Sequence, residues 1–296
     1  MLSESGNSGK DPQTTGEITM SMDGSTEKQV LCIKWGTKYG ADHVNRIYGM
    51  VSRNVTPPFR VFCFTDDPEG IRPEVKCLPL PELGCNVPVN TQGKWRKTAL
   101  WNKDLKGIEG VALFIDLDSV ITGSIDPYFT YGDPDDVILA RNWLRPWSGL
   151  GQTSVFRFPV GKHGYILEQF QADPQGVADR FRYEQHYLTR SIKGGIKFWP
   201  EGWTCHFRVH CLGPVLMRYL RPARLPEGVR IVTFPGRPNP SDVMEGKWTA
   251  EAPAYAGRWA HLKGVFDRSK RVYPSVIRHL KSFAMPVPWM RELWKE

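Results

Sequence analysis

Residues 111–118, VALFIDLD, are the most apolar stretch of the chain, and they end in two carboxylates. A short unbroken apolar run reads as a buried strand. Asp116 and Asp118, separated by one residue, then project to the same side of it, where two like charges repel. A divalent cation removes the conflict. Mg²⁺ and Mn²⁺ prefer carboxylate and phosphate oxygens, and they leave coordination positions open to substrate phosphates and water. The carboxyl end of a central strand is also where open α/β sheets bind ligands. Without a metal, the same pair would be one aspartate capping the following turn and one in solvent.

The flanking segments fit such a sheet. VLCIKW (30–35) is a compact apolar run ending in the turn-prone GTKYG, and the segment opening at Asp42 repeats Val44, Ile47, Tyr48 and Val51 at helical spacing. Pro57 and Pro58 stop that helix, and FRVFCF (59–64) reads as a buried strand running into the loop TDDPEG. This is a parallel βαβ start. A short strand is expected near 75–78 and a helix over 94–105. Beyond the acidic motif, 137–144 and 153–158 read as strands, and 163–171 and 183–192 as helices.

At 296 residues, the chain can bury one substantial core. Its hydrophobic share is 41% and its charged share 24%, and no apolar run approaches the roughly 20 residues that span a bilayer. The opening residues lack the basic start and apolar stretch of a secretory signal, which points to a cytoplasmic protein. Residues 1–28 hold two lysines against five acids and few bulky apolar groups, so a disordered tail is expected there. The six cysteines show no CxxC pair and no disulfide framework. A net charge of +8 suits phosphate-bearing ligands or an anionic membrane surface. Nucleic acid, attracted by the same field, has no other feature in its favour, and no nucleic-acid partner is expected.

IDLDSVITG has the letters of the first motif of haloacid dehalogenase-like phosphatases, and GDPDD (132–136) imitates their later metal-binding acids. The order is wrong for them: two βα units precede the motif, and the acidic cluster follows too soon. VLCIKWGTKYGADHVNRIYGMV, FRVFCFTDD, GKWRKTALW, ALFIDLDSVITGSID, TSVFRF, EQHYL and FWPEGW together resemble bacterial glycosyltransferases related to family 8, found among capsule and lipopolysaccharide enzymes. The resemblance covers about 30–240 and rests on order and spacing rather than on one motif.

The resemblance implies a GT-A fold, a Rossmann-like mixed sheet flanked by helices, with a catalytic domain over 29–257 and a helical extension over 258–296. It implies a nucleotide sugar, UDP-linked, as donor, a glycan or lipid-linked acceptor, and Mn²⁺ or Mg²⁺ on Asp116 and Asp118. Trp35, Gly36, Thr37, Lys38 and Tyr39 would hold base and ribose, with Thr65 and Asp66 facing the same nucleoside. Lys97 and Arg237 would reach the diphosphate; alone, Lys97 reads equally as a solvated lysine on an exposed helix face. Gln152, Ser154, Glu184 and Gln185 match positions at the donor sugar or the reacting carbon, Glu184 and Gln185 being the catalytic candidates.

One departure concerns FPGRPNP (234–240), where related enzymes commonly carry a metal-binding histidine and this chain has Pro235. That leaves room for a non-catalytic nucleotide-sugar binder. His206 and His210 beside Cys205 and Cys211 lack zinc-site spacing, and a packed loop is the expectation. Residues 258–296 carry nine Lys or Arg against three acids. Val276, Leu280 and Phe283 share a helical face with Ile277 beside them, and Trp289, Met290, Leu293 and Trp294 cluster at the end. Such a segment can hold a protein peripherally on the inner membrane face or pack back on the catalytic domain.

Overall fold

The computed structural model describes residues 27–252 and 255–296. The tail expected over 1–28 lies outside them apart from Glu27 and Lys28, and Lys28 already opens the first strand.

The chain begins β1 (Lys28–Lys34), α1 (Ala41–Asn54), β2 (Phe59–Thr65) and β3 (Val75–Pro79). A 3₁₀ helix, Trp95–Trp101, leads to β4 (Val111–Ile115), β5 (Val120–Ile121), α2 (Asp126–Thr130), β6 (Ile138–Arg141) and β7 (Gly151–Pro159). Then come α3 (Tyr165–Ala172), α4 (Pro174–Arg180), α5 (Glu184–Ser191), β8 (Lys197–Phe198), β9 (Thr204–His206) and a π-helical turn, Phe207–Cys211. The chain closes with α6 (Val215–Leu220), β10 (Ile231–Thr233), α7 (Pro240–Met244), α8 (Arg258–Lys263), α9 (Val276–Lys281) and α10 (Pro288–Leu293).

Seven strands form one sheet in the order β3-β2-β1-β4-β7-β6-β8, and β5-β10-β9 form a second. β3, β2, β1 and β4 run parallel, whereas β7 is antiparallel to β4. The central strands carry apolar residues at successive positions because both faces of the sheet are covered. Val30, Cys32, Val61, Cys63, Leu113 and Ile115 face one layer, where α1 contributes Val44, Ile47, Met50 and Val51. Leu31, Ile33, Phe62, Phe64, Ala112 and Phe114 face the other, under Trp95, Trp101, α3 and α5.

Four sequence expectations change. The helix expected over 94–105 is a seven-residue 3₁₀ segment that ends at Trp101. The strand of 111–118 stops at Ile115, so the two aspartates lie on the turn beyond it, and the strand of 137–144 shortens to β6.

The fourth change concerns the end of the chain. Met290 and Trp294 are buried, and with Ala284 and Val287 they join the core that α1 helps to form. The Trp289 indole N–H donates to the Ala223 carbonyl at 3.0 Å, and the Arg46 guanidinium lies 4.1 Å from the Trp294 ring centroid. Arg53 donates to the carbonyls of Leu293, Lys295 and Glu296. Phe283 is buried too, stacked on Tyr219 at 4.5 Å. Of the tryptophans expected as an anchor, Trp294 is therefore buried and Trp289 half-buried against the core. Trp259, Phe266 and Ile277 stay open instead, 68%, 91% and 65% exposed. Among the described residues no helix is long and apolar enough to cross a membrane.

Candidate active site

The order β2-β1-β4 makes the chain leave β1 and β4 in opposite directions across the sheet, which opens a crevice at their carboxyl ends. Register places Leu31 beside Phe114, so the loop after β1 emerges next to Asp116. Because β7 runs antiparallel to β4, its first residues, Gln152–Ser154, reach the same edge. The start of α5, the turn after β9 and the Pro235–Gly236 segment after β10 complete a cavity of about 680 Å³.

The acidic pair lies on the cavity lining and is held tightly. The Asp116 N–H donates to the Ser154 carbonyl at 2.8 Å, and the Asp116 carbonyl accepts from Ser119 N–H at 3.0 Å. Lys97 Nζ donates to Asp116 Oδ1 at 2.8 Å and to the Thr153 carbonyl at 2.5 Å, and it sits 4.2 Å from the Phe114 ring centroid. Lys97 is 6% exposed, so it is not the solvated lysine of an exposed helix. Its charge is given to an aspartate. The Tyr39 hydroxyl donates to Asp118 Oδ2 at 2.7 Å and accepts from Lys38 Nζ at 2.5 Å. Burial, and then the charge of Asp116, push Asp118 up to about 6. Burial with the Asp118 charge beside it pushes the Tyr39 phenol far above its ordinary range.

Glu184, buried at the start of α5, accepts from the Thr153 hydroxyl at 2.5 Å. Burial raises its carboxyl above the usual range, while the Lys97 charge opposes the rise. Gln152 and Ser154 bond to one another, with Nε2 donating to Oγ and the Ser154 N–H donating to Oε1, both at 2.7 Å.

Trp35, Lys38, Tyr39, Lys97, Asp116, Asp118, Gln152, Ser154, Glu184 and Gln185 thus come together on one cavity. Five other candidates do not line it. The Gly36 N–H donates to Asp66 Oδ2 at 3.0 Å, so Asp66 braces the 35–39 loop from behind. Thr65 is buried and bonded to Asp67, and Thr37 is exposed outside the lining. Arg237 pairs with Glu251 at 3.2 Å. The acids of GDPDD lie elsewhere, Asp135 paired with Lys162 and Asp136 with Lys197. Several lining residues have no counterpart in the sequence reading, among them Gln92, Lys94, Arg145, Arg182, His186 and Arg208. Gln92, Lys94, Arg145 and Arg182 lie on loops without periodicity, Arg208 on the π-helical turn and His186 on α5; Lys94, inside GKWRKTALW, and His186, inside EQHYL, are the two that those motifs could have flagged.

The chemistry of the donor set fits a divalent cation. Asp116 and Asp118 each keep one oxygen free of protein bonds, and Asp118 carries a charge that burial leaves poorly compensated. Pro235 lines the cavity without a ligating atom on its side chain, and no three metal-capable side chains cluster among the described residues. A cation there would take two carboxylate oxygens and fill its shell with diphosphate and water. The zinc arrangement does not form. His206 Nδ1 accepts from the Arg208 N–H at 3.1 Å, and burial followed by the Arg208 and His210 charges lowers His206 to about 3.

Solved structures share this architecture. The galactosyltransferase LgtC, crystallised with donor and acceptor sugar analogues, superposes with a TM-score of 0.54 at 10% identity, over 89% of this chain and 99% of that one. The fold is that of the GT-A glycosyltransferases. GlyE of Streptococcus pneumoniae gives 0.51 at 13% identity, over 88% and 66% of the two chains. WbbM, a bifunctional glycosyltransferase, gives 0.50 at 10%, over 72% and 46%. No family profile and no characterised protein sequence matches the chain. The GT-A fold accounts for the crevice between β1 and β4, and the identity of the side chains in it carries the functional reading.

Proposed function

We propose that the protein is a glycosyltransferase, moving a sugar from a UDP-linked donor to a hydroxyl of a glycan or lipid-linked acceptor. The observation that carries this is the Asp116–Asp118 pair at the carboxyl end of β4, with one oxygen of each open, facing a 680 Å³ cavity rimmed by Lys38 and Lys94. Trp35 and Tyr39 offer aromatic surface to the base and ribose. Lys38 and Lys94 meet the diphosphate, while Lys97 fixes Asp116 rather than reaching the substrate itself. Mn²⁺ or Mg²⁺ on the two aspartates would neutralise the departing diphosphate. Glu184, oriented by Thr153, and Gln185 stand where a carboxylate and an amide stabilise positive charge developing at the sugar carbon. Most of the rate then comes from positioning donor and acceptor in a preorganised polar site.

Release of UDP from UDP-hexoses in the presence of Mn²⁺, without acceptor, tests this reading. Slow release that Asp118→Asn abolishes is expected. Pro235, at the position of an expected ligand, favours one competitor, an inert nucleotide-sugar binder; it would bind UDP-hexose and release nothing.

The same reading includes a peripheral site on the inner membrane face. Its support is the exposed set Trp259, Phe266 and Ile277 among Lys263, Arg268, Lys270, Arg278 and Lys281, rather than the half-buried Trp289 and the buried Trp294. Apolar side chains enter the headgroup region, and each basic residue adds about 1 kcal/mol near an anionic surface.

A further inference from the structure

The cations of the cavity fall into two sets. Lys38, Lys94 and Lys97 gather at the aspartate pair, close enough for the charges of Asp118, Asp116 and Lys94 to act on Lys38. Arg145, Arg182 and Arg190 gather instead at His186, whose imidazole is held below its ordinary range by burial and then by these three guanidinium charges. Arg145 follows β6, Arg182 lies on the turn entering α5, and Arg190 stands in the last turn of α5. Arg145 and Arg182 both line the cavity.

Among the described residues, none of these three arginines has a carboxylate partner within 4.0 Å. Arg182 is held by a neutral group: its Nε and Nη2 each donate to Gln92 Oε1 at 3.1 Å, and the Tyr183 hydroxyl donates to the same oxygen at 3.0 Å. Arg190 donates only to the Ser148 carbonyl, at 3.4 Å. Glu184, Asp116 and Asp118 are the carboxylates of the cavity, and Thr153, Lys97 and Tyr39 already engage them. Arg145 and Arg182 therefore face the cavity with no protein carboxylate beside them.

A UDP-linked neutral hexose, the donor class tested above, does not bring an anion to these arginines. Its negative charge sits on the diphosphate, which the lysine set and the proposed metal meet, while its base, ribose and hexose are neutral. We propose that the acceptor is an anionic glycan, a sugar bearing a phosphoryl or carboxylate group, gripped at that group by Arg145 and Arg182 at the end of the cavity around His186. Guanidinium forks match both oxyanions with paired charge-assisted hydrogen bonds. Leu144, 64% exposed and on the cavity lining next to Arg145 in sequence, leaves apolar surface for a sugar ring. This inference rests on the glycosyltransferase reading, whose donor site lies at the other set of cations.

The test is a tryptophan-fluorescence titration of the full chain with three matched probes: methyl glucoside, its 6-phosphate and methyl glucuronide. Each is run with and without saturating UDP and Mn²⁺. Both anionic probes are expected to bind about tenfold or more tighter than the neutral one, in the presence of UDP as well. In Arg145→Gln/Arg182→Gln the three should come within about twofold of one another; both side chains are exposed, and circular dichroism checks the fold. Equal binding of the three probes by the native chain, a preference that survives in the double variant, or displacement of the anions by UDP would overturn the proposal. A phosphate preference without a glucuronide preference narrows the acceptor to phosphorylated sugars and sinks the carboxylate half. A separate UDP titration keeps the two readings apart: UDP binding without anion preference defeats only this inference, and anion preference without UDP binding defeats only the donor site.

Discussion

At one end of the cavity each carboxylate is matched by a protein donor in contact with it, and at the other the cations have no carboxylate beside them. Beside β4, Lys97 sits on Asp116 and the Tyr39 hydroxyl on Asp118, each contact within 2.8 Å. Around His186, Arg145, Arg182 and Arg190 converge with only amide and carbonyl oxygens to accept from Arg182 and Arg190. A matched end is preorganised for one chemical task, because its groups need no rearrangement when charge develops. An unmatched end stores a preference for a ligand of opposite sign. The two proposals above rest on that contrast, with chemistry proposed at the first end and selection of the acceptor at the second.

Removing the acids should have the largest effect. Asp116→Asn and Asp118→Asn are each expected to lower UDP release about a thousandfold, measured with Mn²⁺ at saturating donor. Their stabilities should diverge, however. Asp118→Asn removes a poorly compensated charge and should raise the urea midpoint of the metal-free protein, whereas Asp116→Asn strands buried Lys97 and should cost about 2 kcal/mol. Equal stability in the two variants would break the idea of a matched end.

Lys97→Met comes next, with about a hundredfold loss of release and a stability loss near 2 kcal/mol, partly restored in Lys97→Arg. A loss confined to KM for the donor would mean that Lys97 contacts the diphosphate directly instead of fixing Asp116.

Histidines sharpen the contrast further. His206 at the cavity and His261 in the C-terminal region are both buried, with their imidazoles lowered to about 3. Between about pH 3 and 6.5 the unfolded chain takes up protons that the folded chain refuses. The stability these groups allow is complete above about 6.5 and falls as the pH drops towards 3, by about 2 kcal/mol for each group at pH 5. Urea midpoints at pH 7 and 5 should show this, and His206→Asn should lose part of it. By imidazole NMR, His186 should take its proton at a higher pH than His206; the reverse order would place the greater burial at the wrong end of the cavity.

The smallest effect expected is at the membrane. Trp259→Ser/Phe266→Ser should reduce flotation with anionic vesicles a few fold and leave thermal stability within about 0.5 kcal/mol, since both side chains are exposed. Trp294→Ser should instead unfold the chain or lower its melting temperature, because Trp294 is part of the core.

Much of the sheet was readable from local pattern. Apolar runs at 30–35, 59–64 and 111–115 could only be covered strands, and α1 announced itself by the spacing of Val44, Ile47 and Val51. The acidic turn after β4 was legible for the same reason: two like charges one residue apart after a buried run conflict with each other whatever the rest of the chain does. The C-terminal segment was only half legible, since composition describes an anchor and a packed helix alike. Trp294 and Trp259 have the same side chain in the same basic surroundings, and only α1 and the partner residues brought to it decide that one is core and the other surface.

What the sequence determined by itself, then, was the order of strands and helices in the first half and the carboxylate pair that ends β4, because periodicity and local charge conflict are short-range properties. Only the tertiary structure decided that Lys97 is buried against Asp116, that Asp66 braces a loop instead of facing a ligand, and that Arg145 and Arg182 meet around His186. Those outcomes depend on groups far apart in the chain being brought within a few ångströms, and electrostatic strength depends on the burial that the packing of distant elements creates.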